Sequence, residues 1–231
     1  MTGTSGTSDV SGLPGMGDRE AFLARVRRQL AGGLPENPLR PVPGFGEPVP
    51  AVAYAVDTTD LMACFVEAAR GAAAEVHDGV APADLLALVC ERAQVRSAVV
   101  SRDPECDEVA ATLADLGVAV VDPADRDAVA AADLGVTGAV WGIALTGSLV
   151  VDSGRAGGRG ASLLPPVHLA LLDRARILPD AGALLCHLPE RLPGGLPSNL
   201  VMITGPSRSA DIELQLTVGV HGPRELLIGL L

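Results

Sequence analysis

The chain of 231 residues contains no lysine, since all 17 of its cationic side chains are arginines. This excludes enzymes that form a Schiff base through their own lysine, and it excludes a P-loop lysine on a nucleotide phosphate. Aromatic residues make up only 2% of the chain, so the core must be aliphatic and base-stacking platforms are not expected. The formal net charge of −11 repels nucleic-acid phosphates, and no nucleic-acid partner is predicted.

Cysteines are few, and no two of them have the CxxC spacing. The chain therefore lacks the local pattern of an iron–sulfur, zinc-ribbon or thioredoxin site, and no metal site is predicted. Residues 1–14 are polar and lack the apolar stretch of a secretory signal peptide, so we expect a cytoplasmic protein with reduced thiols. The cysteines are Cys64, Cys90, Cys106 and Cys186.

Residues 134–151 carry no charge over 18 positions, but they include four glycines and three hydroxyl residues. A membrane-spanning helix usually needs about 20 mostly apolar residues. Two buried strands joined by a tight turn explain this segment better, and no membrane span is predicted.

The chain is predicted to have three regions. Residues 1–17 are rich in glycine, serine and threonine, which indicates a disordered tail. Residues 18–50 combine a helix at 18–31 with a proline-rich linker. Residues 51–231 form a single α/β domain. The helix either docks as a mobile arm on another protein or folds back on its own domain.

Helix and strand patterns alternate from residue 57 to residue 134, and the strands there are short apolar runs. This alternation predicts an α/β fold with a parallel sheet that is covered on both faces. Beyond residue 134 the pattern consists mainly of strands. The predicted helices are 57–71, 81–93, 105–116, 125–132 and 179–188, and the predicted strands are 74–76, 97–101, 118–121, 136–144, 148–152, 168–173, 201–204, 215–220 and 225–230.

The loop at 152–160 is rich in glycine and contains two arginines. Glycine lets backbone N–H groups approach a ligand, and the arginine fork binds carboxylate or phosphate. Gly158 and Arg159 are therefore candidate anion-binding residues, although a solvated hairpin connection would have the same composition. The loop lacks the GK[ST] sequence of a Walker loop.

A second polar cluster, at 204–213, follows an apolar run that ends at Ile203. Ligands of α/β sheets bind at the carboxyl ends of strands, so this cluster is a candidate binding loop. The alternative is a capped turn in which Asp211 pairs with Arg208. The candidate residues of the cluster are Thr204, Gly205, Ser207, Arg208 and Asp211.

Two turns complete the candidate set. Thr146, Gly147 and Ser148 lie between two apolar strands, where a plain hairpin turn is the favoured interpretation. His221 precedes the last strand and either contacts a ligand or caps its turn. The chain has no GxSxG motif, and no catalytic residue is assigned. The hypothesised lining of one anion pocket comprises this hairpin turn, Arg159, Ser207, Arg208 and His221.

Four segments carry a family resemblance. They are GIALTGSLV at 142–150, GGR at 157–159 with SLLP at 162–165, ITGPSRSADIE at 203–213 and GVHGPREL at 219–226. Together they resemble the LUD domain, the fold of the lactate-utilisation proteins, and within that family the protein C group. The predicted N-terminal helix and proline linker are also similar to this family, so the resemblance covers nearly the whole chain after residue 18.

The resemblance implies an α/β fold related to the CoA-transferase and sugar-phosphate-isomerase superfamily. It also implies a role in oxidising L-lactate to pyruvate beside two iron–sulfur partner proteins. Those partners would hold the clusters, with no cofactor in this chain. The pocket would take a small carboxylate or a phosphate-bearing ligand.

The chain departs from the family at Leu145, where members commonly have an acidic residue before the TG pair. In the related transferases a glutamate performs covalent catalysis, and loss of a carboxylate removes a candidate nucleophile. The departure favours a subunit without catalysis of its own. The alternatives are a stand-alone enzyme or binding protein for a small carboxylate, CoA thioester or sugar phosphate, and a scaffold that docks through its N-terminal helix.

Overall fold

The computed structural model describes residues 59–154, 157–191, 199–209 and 217–231, together with Ala24 and Arg28. The chain divides into two compact units, residues 1–53 and residues 54–231, and every strand of the described ranges belongs to the second. Ala24 and Arg28 are both helical, within the helix predicted at 18–31. The predicted tail at 1–17 and the proline-rich linker lie outside the described residues.

The second unit alternates helices and strands before residue 134, as the sequence pattern predicts. Several helices begin at capping residues: Oδ1 of Asp60 accepts a hydrogen bond from the Ala63 N–H at 2.9 Å, and Asp125 caps the fourth helix in the same way. The helices are α1 (Leu61–Gly71), α2 (Pro82–Ala93), α3 (Val109–Asp115), α4 (Arg126–Ala131), α5 (Gly160–Leu163) and α6 (Ala181–Arg191). The strands are β1 (Glu75–Asp78), β2 (Ser97–Val100), β3 (Ala119–Val121), β4 (Leu134–Ala139), β5 (Trp141–Ile143), β6 (Ser148–Asp152), β7 (Val167–Leu172), β8 (Ile177–Leu178), β9 (Leu200–Ile203), β10 (Arg208–Ser209), β11 (Thr217–Val218) and β12 (Glu225–Leu230).

The main sheet has six strands in the order β1-β12-β7-β4-β2-β3, and all of its neighbours are parallel. One of its faces is covered by α2 and α3. Leu85 and Val89 of α2 and Leu113 of α3 share a buried cluster with alternate strand residues such as Leu134 and Leu169. The predicted parallel sheet is therefore confirmed.

The other face of the main sheet packs against α1 and a second sheet. That second sheet has four strands in the order β8-β5-β6-β9. Phe65 and Ala69 of α1 share a buried cluster with Ala170 and Leu172 of β7 and Leu149 of β6. Burial on both faces explains why the central strands read as unbroken apolar runs.

The single strand predicted at 136–144 is wrong, because the structure divides this segment between the two sheets. β4 lies in the main sheet, whereas β5 pairs with β6 in the second sheet. The change occurs at Val140, whose N–H already donates to the Val150 carbonyl at 2.8 Å. Both halves are fully buried, so no alternation of polar and apolar residues marks the crossing.

The hairpin predicted within 134–151 is confirmed. β5 and β6 are antiparallel, with Trp141 opposite Val150 and Ile143 opposite Ser148, and the turn between them contains Gly147. No helix in the described parts of the chain is long and apolar enough to cross a membrane.

Short elements account for the other differences. The helix predicted at 105–116 is a 3₁₀ turn at Pro104–Cys106 followed by α3. Of the strand predicted at 215–220, the structure describes β11, and residues 215–216 lie outside the described ranges. The two-residue strands β8 and β10 and the four-residue helix α5 were not predicted, because periodicity needs a longer window.

Candidate functional site

A cavity of about 490 Å³ lies between the segments 204–208 and 221–223. We call it the loop cavity. Ser207 and Arg208 line it from one segment and His221 from the other, so the structure brings together three side chains that were predicted to meet. Thr204 and Gly205 also line it. The other described lining residues are Ala72, Ser162, Leu163, His168, Val201, Met202, Ile203, Pro206, Gly222, Pro223 and Leu226.

Backbone hydrogen bonds hold the two segments of the loop cavity together. The Ser207 N–H donates to the Pro223 carbonyl at 2.8 Å, and the Gly219 N–H donates to the Ser207 carbonyl at 2.9 Å. Arg208 pairs with Val218 in the antiparallel strands β10 and β11. Main-chain hydrogen bonds of Ser207 and the pairing of β10 with β11 therefore fix the position of the Arg208 backbone.

Two glycines allow turns to pack against the C-terminal end of α1. Gly205 has φ +76°, and a Cβ at that position would overlap the Ala72 carbonyl oxygen. Gly147 has φ +62°, and its Cβ would overlap the Ala69 backbone. Both turns need a left-handed residue without a side chain, which only glycine supplies without strain.

A chain of hydroxyl groups joins the hairpin turn to the loop cavity. Thr146 Oγ1 lies 2.6 Å from Ser148 Oγ, which lies 2.6 Å from Thr204 Oγ1. Ser148 is buried, and Thr204 lines the cavity. The turn at 146–148 is thus the predicted hairpin, and it contacts the candidate binding loop through Thr204.

The described residues of the glycine-rich loop do not line the loop cavity, in contrast to the single anion pocket hypothesised from the sequence. Gly158 and Arg159 line a second cavity, of about 600 Å³, together with Arg126 of α4. This cavity shares only Leu163 with the loop cavity among the described lining residues. Arg159 is therefore not placed beside Ser207, Arg208 and His221. Asp211, the predicted partner of Arg208, lies outside the described residues.

His168 was not among the predicted site residues, yet it lines the loop cavity. It is 1% exposed, its Nε2 lies 2.9 Å from Thr137 Oγ1, and its Nδ1 has no hydrogen-bond partner among the described residues. Burial lowers the pKa of His168 to about 4, so its ring is neutral near pH 7. The sequence contains one sign of it, a single imidazole in the otherwise apolar strand VHLALL.

The loop cavity lies at an unexpected edge of the main sheet. His168 and Leu226 stand near the N-terminal ends of β7 and β12, and Pro223 precedes β12. The sequence interpretation placed the binding loop at the carboxyl edge of an α/β sheet. That placement is wrong, because β9 belongs to the second sheet, where it is antiparallel to β6.

Other chemistry is limited in the described residues. No group of three His, Cys, Asp or Glu side chains among them is arranged to hold a metal ion. Burial raises the pKa of the Cys106 thiol to about 12, so this cysteine is not a nucleophile at neutral pH. The Leu145 N–H donates to the Pro179 carbonyl at 3.0 Å.

Known proteins with similar sequences include several lactate utilization proteins C. Those of Halalkalibacterium halodurans and Bacillus subtilis are 42% and 38% identical to the chain over 94 residues, which is 40% of it in each case. These matches span 41% and 39% of the two relatives' own lengths. The protein YkgG of Escherichia coli is 34% identical over 144 residues, covering 58% of the chain and 62% of YkgG.

The fold is also found in a crystal structure of a DUF162 family protein from Deinococcus radiodurans. The two structures superpose with a TM-score of 0.53 and 19% sequence identity, over 74% of this chain and 96% of the other. The sequence profile of the LUD domain matches residues 56–231, which include every strand described above. The chain therefore belongs to the LUD domain family.

Proposed function

We propose that this protein acts in lactate utilisation and that its loop cavity binds a small carboxylate such as L-lactate or pyruvate. The observation that carries the proposal is the convergence of Ser207, Arg208 and His221 on one cavity. These residues belong to the two segments that resemble the family, TGPSRSADIE and GVHGP. The names of the similar proteins support the metabolic role.

The chemistry of the loop cavity suits an anion. Arg208 is exposed and lines the cavity, and it has no ion-pair partner among the described residues. A guanidinium presents two parallel N–H donors that match a carboxylate, and it stays charged at every physiological pH. The hydroxyl of Ser207 and the ring of His221 add further hydrogen-bonding groups beside it.

We further propose that the chain is a cytoplasmic subunit that holds no cluster and acts beside two iron–sulfur proteins. Oxidation of lactate to pyruvate releases two electrons, which an electron carrier must accept. In this proposal the cavity holds the carboxylate while clusters in the partners accept the electrons. In this proposal the helix predicted at 18–31 serves as the docking element.

The volume of the loop cavity supports a second candidate ligand. A volume of about 490 Å³ lies in the range of sites that bind ligands much larger than a three-carbon acid. A longer carboxylate, a CoA thioester or a sugar phosphate would fill it better, which would make the chain a stand-alone enzyme or binding protein. Inorganic phosphate is therefore included among the test ligands.

The first experiment measures binding of L-lactate, pyruvate and inorganic phosphate to the purified chain by calorimetry. Arg208→Ala should weaken carboxylate binding by about 10-fold to 100-fold, since a charge-assisted hydrogen bond contributes about 1.5–3 kcal/mol. The melting temperature should change little. The matched control is Arg102→Ala, because Arg102 is exposed but does not line the cavity.

The outcome for Arg208→Ala separates binding from structure. A large loss of stability with unaltered binding would make Arg208 a structural residue and would contradict the proposed site. Tight binding of phosphate with no binding of either acid would favour the second candidate.

A second experiment tests the subunit proposal. The tagged chain is recovered anaerobically from cells grown on lactate, and the visible absorbance spectrum of the eluate is recorded. Brown iron–sulfur proteins in stoichiometric amounts are the expected result. A colourless protein that elutes alone would contradict the subunit role and leave an independent binding protein or enzyme.

A further inference from the structure

The imidazole of His168 has an unused hydrogen-bonding position. Its Nε2 is bonded to Thr137, but its Nδ1 has no partner among the described residues although it is buried. An unsatisfied buried polar atom costs about 1–3 kcal/mol, and a leucine or phenylalanine in this strand would avoid that cost. His168 lines the loop cavity, and a molecule that reached Nδ1 from that cavity would supply the missing hydrogen bond.

His168 and Arg208 both line the loop cavity, but they differ in burial. His168 is 1% exposed, whereas Arg208 is exposed. Leu226 and Ile203 line the same cavity. The cavity therefore combines an exposed guanidinium, apolar side chains and two buried polar residues, His168 and Ser162. The hydroxyl of Ser162 already donates to the Arg159 carbonyl.

We propose that His168 determines the specificity of the loop cavity by binding the oxygen atom on C2 of a 2-hydroxy or 2-oxo carboxylate through Nδ1. The carboxylate group of the same ligand pairs with Arg208. This assignment rests on the proposed function and adds a second contact, which distinguishes such acids from carboxylates without an oxygen on C2.

The state of the ring decides which ligand atom it binds. Because burial lowers the pKa of His168 to about 4, the imidazole carries no charge near pH 7 and cannot balance a carboxylate. Moving a neutral hydroxyl or carbonyl oxygen from water to this buried position costs far less free energy than moving a carboxylate there. The charged end of the ligand is therefore assigned to Arg208.

The direction of the hydrogen bond between Thr137 and Nε2 determines whether Nδ1 donates or accepts. When Thr137 donates to Nε2, the proton of the neutral ring is on Nδ1, which donates to either a hydroxyl or a carbonyl oxygen. When Thr137 accepts from Nε2, the Nδ1 lone pair is free and can bond only to a hydroxyl. A 2-hydroxy acid fits both tautomers, whereas a 2-oxo acid fits one.

The test compares three acids with the same three-carbon chain: L-lactate, pyruvate and propanoate, which lacks the C2 oxygen. The wild-type chain should bind L-lactate at least about 10-fold more tightly than propanoate, because a site built to pair a hydroxyl discriminates against the analogue without it. In His168→Phe the ratio of the two dissociation constants should fall to about 1. Propanoate affinity should change by less than about threefold.

Two further variants keep the test interpretable. The double variant Thr137→Val/His168→Phe removes both members of the buried pair, so no hydroxyl is left unsatisfied if the single variant fails to fold. Thr137→Val alone retains Nδ1 and should keep the preference for L-lactate. A merely structural imidazole would instead give equal weakening of all three acids in every variant that lacks it.

The outcomes separate this inference from the proposed function. An unchanged ratio of L-lactate to propanoate affinity in the folded double variant overturns the role of His168 and leaves carboxylate binding intact. Failure of the wild-type chain to bind any of the three acids overturns the proposed ligand class and the assignment of His168 with it.

Discussion

The two edges of the main sheet differ in whether their buried polar groups have hydrogen-bond partners. At the C-terminal edge, Asp103 accepts hydrogen bonds from Ser101 Oγ at 2.5 Å and from the Gly138 N–H at 3.1 Å. At the N-terminal edge, His168 lines the loop cavity, and its buried Nδ1 has no described partner. We call the first the closed edge, because its described polar groups bond to one another, and the second the open edge, because a buried nitrogen there has no described partner. A cavity of about 590 Å³, lined by Pro82, Glu105 and Leu231 among other residues, also lies beside the closed edge.

The closed edge is the one at which α/β sheets usually bind ligands. Strands β2 and β4 are neighbours in the main sheet. The chain passes from β2 to β3 on one side of this pair and from β4 to β7 on the other side. The strand order therefore reverses between the C-terminal ends of β2 and β4. Such a point normally forms a crevice for ligands. Here Ser101 and Asp103 occupy the reversal point itself, and Gly138 allows the close approach of Asp103. The comparison teaches that a reversal of strand order need not leave a buried polar group free for a ligand.

The largest expected effect is at Gly205, beside the open edge. Gly205→Ala should lower the free energy of unfolding by about 4 kcal/mol, because a left-handed alanine is strained and its Cβ would overlap the Ala72 carbonyl oxygen. Urea denaturation measures the change. The control is Gly117→Ala, where φ is nearly the same, +77° against +76°, and nothing lies within 4 Å.

The control variant separates the free-energy cost of steric overlap from the free-energy cost of placing an alanine in the left-handed conformation. Gly117→Ala should lose only about 1–2 kcal/mol. Equal losses in the two variants would show that the turn at 205 does not pack tightly on the end of α1.

The next effect is the pH dependence that His168 gives to the open edge. Its pKa is about 4 when folded, below the ordinary value of 6.5, so the unfolded chain binds a proton that the folded chain does not. The stability due to the neutral ring is fully present above pH 6.5 and should be lost by about 3 kcal/mol as the pH falls to 4. Urea denaturation between pH 7.5 and about pH 4.5 measures the slope.

The variant Thr137→Val/His168→Phe should lack this slope. Burial opposes the ionisation of Glu75 and Asp133. For Glu75 the hydrogen bond and charge of Arg92 outweigh burial, and for Asp133 hydrogen bonds from backbone N–H groups do so. Both carboxyl pKa values therefore lie below their ordinary range. Their contributions are therefore lost at lower pH than that of His168. An identical slope in the wild type and the double variant would contradict the buried neutral ring.

At the closed edge, Asp103→Ala should lower the free energy of unfolding by about 2 kcal/mol. The substitution removes the acceptor of the buried Gly138 N–H and of the Ser101 hydroxyl. Ligand binding in the loop cavity should be unchanged, since that cavity lies at the other edge. Asp107→Ala is the control because Asp107 is exposed in the same loop. Weakened binding in Asp103→Ala would show that the two edges are coupled.

The smallest expected effect compares an ion pair at each edge. Arg176 bonds Glu105 at 2.5 Å, where the carboxylate side chain is only 9% exposed, so Arg176→Ala should cost about 1 kcal/mol. Arg92 joins Glu75 and Glu225, which are 44% and 53% exposed, and Arg92→Ala should cost about 0.5 kcal/mol or less. Thermal melts at low and high salt measure both. The Arg92 effect should vanish at high salt, whereas the Arg176 effect should persist.

Much of the fold was predictable because it depends on local pattern. The alternating pattern before residue 134 predicted buried parallel strands such as β2, and apolar runs predicted strands at β7 and β12. Asp125 begins the predicted helix at 125–132 and is its cap, whereas the helix predicted from residue 57 begins at Leu61 with Asp60 as its cap. The break at Val140 was not predictable, because a segment buried on all sides shows no periodic change where it leaves one sheet for another.

The candidate site was predictable in part. The loop at 204–213 was identified from its hydroxyl, arginine and carboxylate side chains and His221 as a turn residue, and residues 204–208 and 221–223 do line one cavity. The placement of Arg159 beside them was not supported, because separation along the chain carries no information on which loops meet. His168 was overlooked because a lone histidine in an apolar strand is indistinguishable, in sequence, from a satisfied core residue.

The sequence by itself determined the aliphatic core, the α/β class, the family and the loops that bear polar groups, since each of these follows from composition, periodicity or contiguous motifs. Only the tertiary structure decided which buried polar group is left without a described partner and which groups share the loop cavity. That decision depends on long-range pairing, such as Gly135 with His168 and His168 with Leu226, which brings distant residues together through strand register. Register is set by packing of the whole sheet, so no local stretch of the chain encodes it.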